Sequence, residues 1–379
     1  MSGILQAIAR SPGSACHRPG AAVSRLYACG LEKLRGIDSE VRRKMPETAS
    51  RDTRLDIVTV VFTDEEPLLA LQARSIARFV PKDLIGSIVI FINEYDSGQL
   101  ENSILKSVVP LYGSLADKVI IKTVRDISEY KATVGWLSQQ ACKLEAARFV
   151  ESTYYLTLDA KHHIVSPIDV IDLFDDHGRP IKPFVEARPD QAPWLEDSLR
   201  YFDANPAAAS ERSPASAPPF IMHACTVREM VQEITAREGM DLVKFFDTKS
   251  DRSTEFTLYY ARLVANQTQS MHLVDGPNGL FTMRIGTTEQ RRAALRRGLK
   301  GDSRFWCFGI HRKHLIALPP EDRELTLAVW MKHGLFDSLT EATSALDKLE
   351  RHFNALADQE RARFEVARLH RKRLKPRPV

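Results

Sequence analysis

The feature that most constrains this chain is a change of pattern at Asp56. From there, strand-length apolar runs alternate with amphipathic segments, the signature of βαβ units and so of a mainly parallel sheet. Asp56 to Phe62 (DIVTVVF) reads as a buried strand. Pro67 stands where a helix can begin, Leu68, Leu69, Leu71, Ile76 and Phe79 form its apolar face, and Pro81 stops it. Ser87 to Asn93 is the second strand, followed by a helix around Gln99 to Val109. Val119 to Val124 is the third strand, a long helix is expected from Lys131 to Val150, and Tyr154 to Leu158 is the fourth strand.

Beyond the fourth strand the regularity declines. Ala204 to Pro219, rich in Ala, Ser and Pro, reads as a loop or lid crossing the sheet. Phe220 to Val227, Gln269 to Val274 and Phe305 to Ile310 are expected as shorter strands, with helices at Val227 to Arg237 and Glu255 to Ala265. From Pro320 the chain reads as helix, with heptad-like spacing in Leu339, Ala342, Leu346, Leu349, Phe353 and Leu356 that suits a helical appendage or a homodimer contact. Residues 1–52 have no acid before Glu32 and no apolar h-region. They read as a weakly ordered leader, and a transit peptide is compatible with their composition. The expected organisation is a leader over 1–52, an α/β domain over 53–318 and a helical extension over 319–379.

At 379 residues and 44% hydrophobic, the chain can bury a large core. No window approaches the roughly 18 to 20 apolar residues of a membrane-spanning helix. Five cysteines, none at zinc-knuckle or redox-pair spacing, fit a reducing cytoplasm, with Cys142, Cys225 and Cys307 as small core residues. The net charge of +4 conceals an asymmetry, because Arg361 to Val379 holds eight Lys or Arg and one Glu, so the rest of the chain sums to −3. Such a tail suits a solvated helix end or peripheral contact with an anionic inner-membrane surface; nucleic acid is not an expected partner.

Four groups of residues can carry chemistry. Asp159 and Lys161 follow the fourth strand directly, where open α/β sheets place ligand groups; an Asp there can hold a ribose hydroxyl or a cation, and is also an ordinary turn residue. Trp136, Gln139, Gln140 and Lys143 share one face of a helix whose apolar stripe is Val134, Leu137, Ala141 and Leu144. On that face Trp136 can stack on a base or sugar, the amides can read donors and acceptors, and Lys143 can neutralise phosphate. Glu255 opens a helix behind Ser253 and Thr254, as a complement to the positive helix end or as a general base. The run Trp306 to Arg312 ends a buried strand at Gly309 and exposes His311 and Arg312. No P-loop, G-x-S-x-G or G-x-G-x-x-G occurs.

The order of these parts resembles the GT-A glycosyltransferases. It is most similar to a poorly characterised bacterial family of glycosyltransferase-like proteins with a G-W-x-x-Q-Q-x-x-K-L helix, here Gly135 to Leu144. The resemblance covers about Asp56 to Arg312. It implies a GT-A, Rossmann-like, mostly parallel sheet flanked by helices, and transfer of a sugar from a nucleoside-diphosphate sugar to a hydroxyl acceptor, glycan or lipid-linked. In such enzymes a D-x-D motif holds Mn²⁺ or Mg²⁺ against the donor diphosphate. Asp159 matches its first carboxylate, while Lys161 replaces the second, so the expected enzyme depends weakly or not at all on metal. By the same resemblance His311 matches a late histidine that completes the metal or diphosphate site, beside Asp159. Glu255 matches an acidic residue facing the acceptor, and Thr63 and Asp64 lie where the nucleotide base is contacted. The departure at Lys161 leaves room for a binding or scaffold protein without turnover. A nucleotidyltransferase is the third reading, against which the acidic, glycine-free Phe62 to Glu66 stands.

Overall fold

A computed structural model describes residues 54–131, 135–186, 189, 191–206, 212–249, 253–283, 287–300 and 305–373. The expected leader, Cys16, Cys29, Val134, part of the loop expected from Ala204 to Pro219 and the last residues of the basic tail lie outside them.

Strand β1 (Leu55–Val61) is buried throughout its length: its apolar residues face the core on both sides, and its two polar ones, Asp56 and Thr59, are hydrogen-bonded. Helix α1 (Glu66–Phe79) follows, with Pro67 in its first turn, and leads to β2 (Ile85–Ile92), then β3 (Val119–Thr123). Helix α2 (Trp136–Glu145) precedes β4 (Tyr154–Asp159) and the short β5 (His162–Ile164). Next come β6 (Phe184–Glu186), α3 (Ala192–Tyr201), β7 (Arg212–Pro214), β8 (Phe220–His223), α4 (Ala224–Glu238), α5 (Leu242–Thr248) and α6 (Glu255–Ala265). The chain closes with β9 (Leu280–Met283), α7 (Thr288–Leu299), β10 (Cys307–Ile310), the single turn α8 (Arg312–Leu315), α9 (Pro320–Lys332) and α10 (Leu339–Arg373).

The main sheet has the order β3-β2-β1-β4-β8. Its first four strands are parallel and β8 closes the edge antiparallel to β4. Side chains alternate across it with period two. Leu55, Ile57 and Val61 join a core with α1, α9 and α10, whereas Val58 and Val60 join a second core with α2, α4, α5 and α6. The protein is thus a mixed α/β structure with a mostly parallel sheet covered on both faces. A smaller sheet, β9-β10-β5, stands beside it. It sets the site, because β10 runs antiparallel to β5 and the Ile310 amide donates to Lys161 O at 3.1 Å.

Several expected elements change. The helix expected from Lys131 begins at Trp136, where the Gly135 amide donates to Ser138 Oγ, and it tightens after Glu145 before reaching Val150. The helix expected at Gln99 to Val109 is α-helical only over Gly98–Ser103, then proceeds in irregular turns to Lys118, with Gly113 at a left-handed φ of 56°. Strand β8 stops at His223 because its Nδ1 caps α4, and Cys225 therefore lies exposed in a helical turn and not in the core. Cys142 and Cys307 are buried as expected. Gln269–His272 forms a helical turn closed by local hydrogen bonds, leaving only Val274–Asp275 extended against Ile181–Lys182. Within the loop expected from Ala204 to Pro219, β7 pairs with β6. The heptad-like stripe on α10 packs inward: Ala342, Leu346, Leu349 and Phe353 are buried in the chain's own core, so a homodimer contact cannot use them. Among the described residues, no helix is long and apolar enough to cross a membrane.

Candidate active site at the carboxyl end of the sheet

The turn after β4 is held from below by a residue the sequence reading passed over. Gln72 sits in the apolar face of α1, fully buried, and donates from Nε2 to Asp159 O (2.9 Å) and His162 O (2.8 Å), while Oε1 accepts from Thr59 Oγ1 at 2.8 Å. The Asp159 amide donates to His162 Nδ1 at 3.1 Å. A buried Gln among leucines would have been the signal, since such a side chain needs partners. Burial lowers the pKa of His162 to about 3, so it is the neutral acceptor this bond requires.

With the turn locked, the Asp159 carboxylate lies between two ammonium groups. Lys143 Nζ is 2.8 Å from Oδ1 and Lys161 Nζ is 2.6 Å from Oδ2. Lys143 also contacts Glu255 Oε1 at 2.9 Å and lies over the Phe256 ring. Burial would raise the Asp159 pKa, but the two lysines outweigh it and hold the carboxylate well below its ordinary range. Burial likewise disfavours the Lys143 charge, and Asp159 and Glu255 outweigh it in turn, raising that pKa. The Glu255 amide donates to Gln140 Oε1 at 3.2 Å, and Gln140 Nε2 is buried with no hydrogen-bond partner among the described residues.

The expected polar face of α2 is therefore not a solvent face. Lys143 is 4% exposed and Gln140 1%, both turned onto α6, and Lys143 is paired with the Asp159 and Glu255 carboxylates. Gln139 is partly buried, and its amide closes the first turn onto Gly135 O. Only Trp136 is exposed, at 51%, and it packs against Trp194.

The loop after β1 and the end of β10 complete the rim. The Thr63 amide and Oγ1 donate to the Glu94 carboxylate at 2.7 and 2.8 Å. Arg312 Nη1 pairs with Asp64 Oδ2 at 3.0 Å, and His352 of α10 donates to Asp64 O at 2.9 Å. Glu65, also passed over, is partly buried beside this group. Burial first, then Asp159 and Asp64, raise its pKa, with Lys161 and Arg312 partly offsetting them. His311 Nδ1 accepts from the Lys313 amide at 3.2 Å. Burial, then the Lys161 charge, lower its pKa to about 4.

These donors do not fit a divalent cation as arranged. Both Asp159 oxygens face ammonium groups and His311 Nδ1 is engaged in its own cap. Among the described residues, no three His, Cys, Asp or Glu side chains group to hold a metal.

Fold and site together define an α/β protein with a charged cluster at the carboxyl ends of parallel strands, where such sheets bind ligands. The chain belongs to the family described as "Family of unknown function (DUF6492)", whose model matches residues 58–280. No match was found among curated proteins. Solved structures similar to it include the apo form of the bifunctional glycosyltransferase WbbM, at 11% identity and TM-score 0.39, covering 80% of this chain and 57% of that one. The apo form of the glycosyltransferase GlyE from Streptococcus pneumoniae TIGR4 matches at 10% identity and TM-score 0.39, covering 78% of this chain and 63% of that one. The galactosyltransferase LgtC, in complex with donor and acceptor sugar analogs, matches at 8% identity and TM-score 0.42, covering 78% and 96%. The chain thus spans less than two thirds of the first two structures.

Proposed function

We propose that this chain is a glycosyltransferase that moves a sugar from a nucleoside-diphosphate donor to a hydroxyl acceptor, with Lys161 and Arg312, in place of a metal ion, facing the diphosphate. The observation that carries this reading is the position of Lys161. Its ammonium group stands at the carboxyl end of β4, anchored on Asp159 at 2.6 Å and still partly exposed, with Arg312 on the adjoining rim. In the transfer, the acceptor oxygen bonds to the anomeric carbon as its bond to the diphosphate breaks. The electron pair leaves with the diphosphate, where fixed cations stabilise it. Glu255 is the carboxylate nearest in kind to a base for the acceptor proton, and Gln140 Nε2 is a buried donor beside it. Thr63 and Asp64 remain the proposed contacts to the nucleotide.

The pairing of Glu255 with Lys143 favours a second reading, a nucleotide-sugar-binding protein without turnover, because this buried carboxylate is already engaged by an ammonium group at 2.9 Å and not turned to an acceptor.

Thermal shifts with UDP-, GDP-, CMP- and dTDP-linked sugars, in EDTA and in Mn²⁺, test both, since a ligand of the folded state raises apparent stability. The transferase reading expects one sugar nucleotide to stabilise the protein equally in EDTA and Mn²⁺, Lys161→Ala to abolish the shift, and free nucleoside diphosphate to appear when acceptor is added. Binding without release supports the second reading, and no binding by any nucleotide removes both.

A further inference from the structure

Beside Glu255 the surface opens into a pocket lined by Glu186 of β6, Trp194 of α3, Ser213 of β7, Ser216, and Phe256 and Thr257 of α6. Trp194 also packs on Trp136, ring centroids 5.9 Å apart and planes tilted by 41°, so the aromatic surface continues out of the pocket onto an exposed indole. The pocket and the charged cluster share one helix start. Glu255 meets Lys143, and the next residue, Phe256, lines the pocket.

The chemistry of the lining selects its ligand. Among the described residues no Lys or Arg lines the pocket, and one carboxylate does, so an anionic phosphate would meet no counter-charge there and one repulsive group. The Ser213 hydroxyl, the Ser216 hydroxyl, which also meets Thr254 Oγ1 at 2.9 Å, and the Glu186 carboxylate can exchange hydrogen bonds with a polyol, whereas Thr257 Oγ1 is already engaged by Thr254 and Ser198; the indoles offer flat apolar faces. A sugar ring has both properties, an apolar C–H face and a rim of hydroxyls, and carries no charge.

We propose that the Trp136–Trp194 pair and this pocket form a subsite for a neutral saccharide, the sugar of the acceptor. Trp136, which from the sequence can stack on a base or a sugar, is thereby assigned to the sugar of the acceptor. Its role in transfer rests on the transferase reading above; the binding does not.

Intrinsic fluorescence tests it directly. The chain has four tryptophans, and the other two, Trp306 and Trp330, are buried, so a quench on ligand addition reports chiefly the exposed Trp136 and the half-buried Trp194. Maltose, lactose and chitobiose are titrated into the millimolar range. At least one is expected to give a saturable change, weakened about tenfold by Trp136→Ala, the effect of losing one aromatic contact. Trp194→Ala is expected to abolish it and Trp194→Phe to restore part of it, while Lys161→Ala binds as wild type and excess UDP or GDP does not compete. The proposal is overturned if no saccharide binds, if both Trp→Ala variants bind like wild type, or if the nucleotides compete and are lost in the same variants. Saccharide binding in a protein that binds no nucleotide would leave the subsite standing and remove the transferase reading.

Discussion

Lys143 of α2 and Asp159 at the end of β4 meet at 2.8 Å, both side chains largely buried, and the same ammonium group holds Glu255 of α6 at 2.9 Å. One cation thus ties two helices of one core to the strand end on which the site is built. Buried ion pairs add little net stability when complete, yet removing one partner strands the others, because a buried charge without a counter-ion is costly.

Lys143→Met is therefore expected to destabilise the protein by about 3–5 kcal/mol, read from urea midpoints. Adding Glu255→Gln to that variant should recover part of the loss, since one of the stranded carboxylates is gone. A change below about 1 kcal/mol in the single variant would mean that the triad is solvated in solution.

At the opposite end of the sheet, Asp56 is wholly buried and accepts from Ser87 Oγ at 2.8 Å and from the Glu151 and Ser152 amides at 2.9 Å each. A Cβ at Gly86 would lie 2.4 Å from Asp56 Oδ1 and 2.6 Å from Ser152 Oγ. Gly86→Ala should lower stability by about 1–3 kcal/mol, the range for overpacking a filled site. Calorimetry would show it, and an unchanged Tm would count against the tight junction.

Burial holds His162 and His163 neutral in the folded protein, each with its pKa lowered to about 3. His163 Nε2 accepts from Trp330 Nε1 at 2.9 Å, a bond that protonation would destroy. Because the folded pKa values lie below the unfolded value of 6.5, this stability is complete above that pH and is lost as pH falls toward the folded values. At about pH 5 each histidine should account for a loss of about 2 kcal/mol. Urea midpoints that stay level from neutral pH to about pH 5 would contradict this assignment.

Glu65 behaves in the opposite sense. Its folded pKa is raised above 4.5, first by burial and then by Asp159, so the contribution it makes is present below that pH and is lost as pH rises through the folded value. Glu65→Gln should be more stable than wild type at neutral pH, with the difference vanishing near the ordinary carboxylate range. Equal midpoints for the two proteins at neutral pH would place Glu65 in solvent.

The strands were legible because a parallel strand buried on both faces is dominated by apolar residues, interrupted in β1 only by Asp56 and Thr59 and in β2 only by Gly86 and Ser87. Helix α6 was legible to its ends because Thr254 caps it, donating its own amide to Thr257 and accepting the Thr257 amide in return. Gln269–His272 was misread as strand because a short mixed segment has no decisive period, and its local hydrogen bonds settled it. The members of the site were mostly named from sequence, but as separate polar features. Glu65, Gln72 and Trp194 were passed over because their roles exist only with partners distant in the chain: Asp159, the β4–β5 turn and Trp136.

By itself, the sequence determined the alternation of strand and helix, the parallel sheet, and Asp159 and Lys161 at a strand end, since those follow from periodicity and local chain geometry. Only the tertiary structure decided which charge neutralises which. Coulomb attraction and desolvation depend on separation in space and on distance from water, and neither is written in residue order. Thus Lys143, placed by helical period on an outward polar face, is turned inward between Asp159 and Glu255, while Trp136 from the same face is left in water against Trp194.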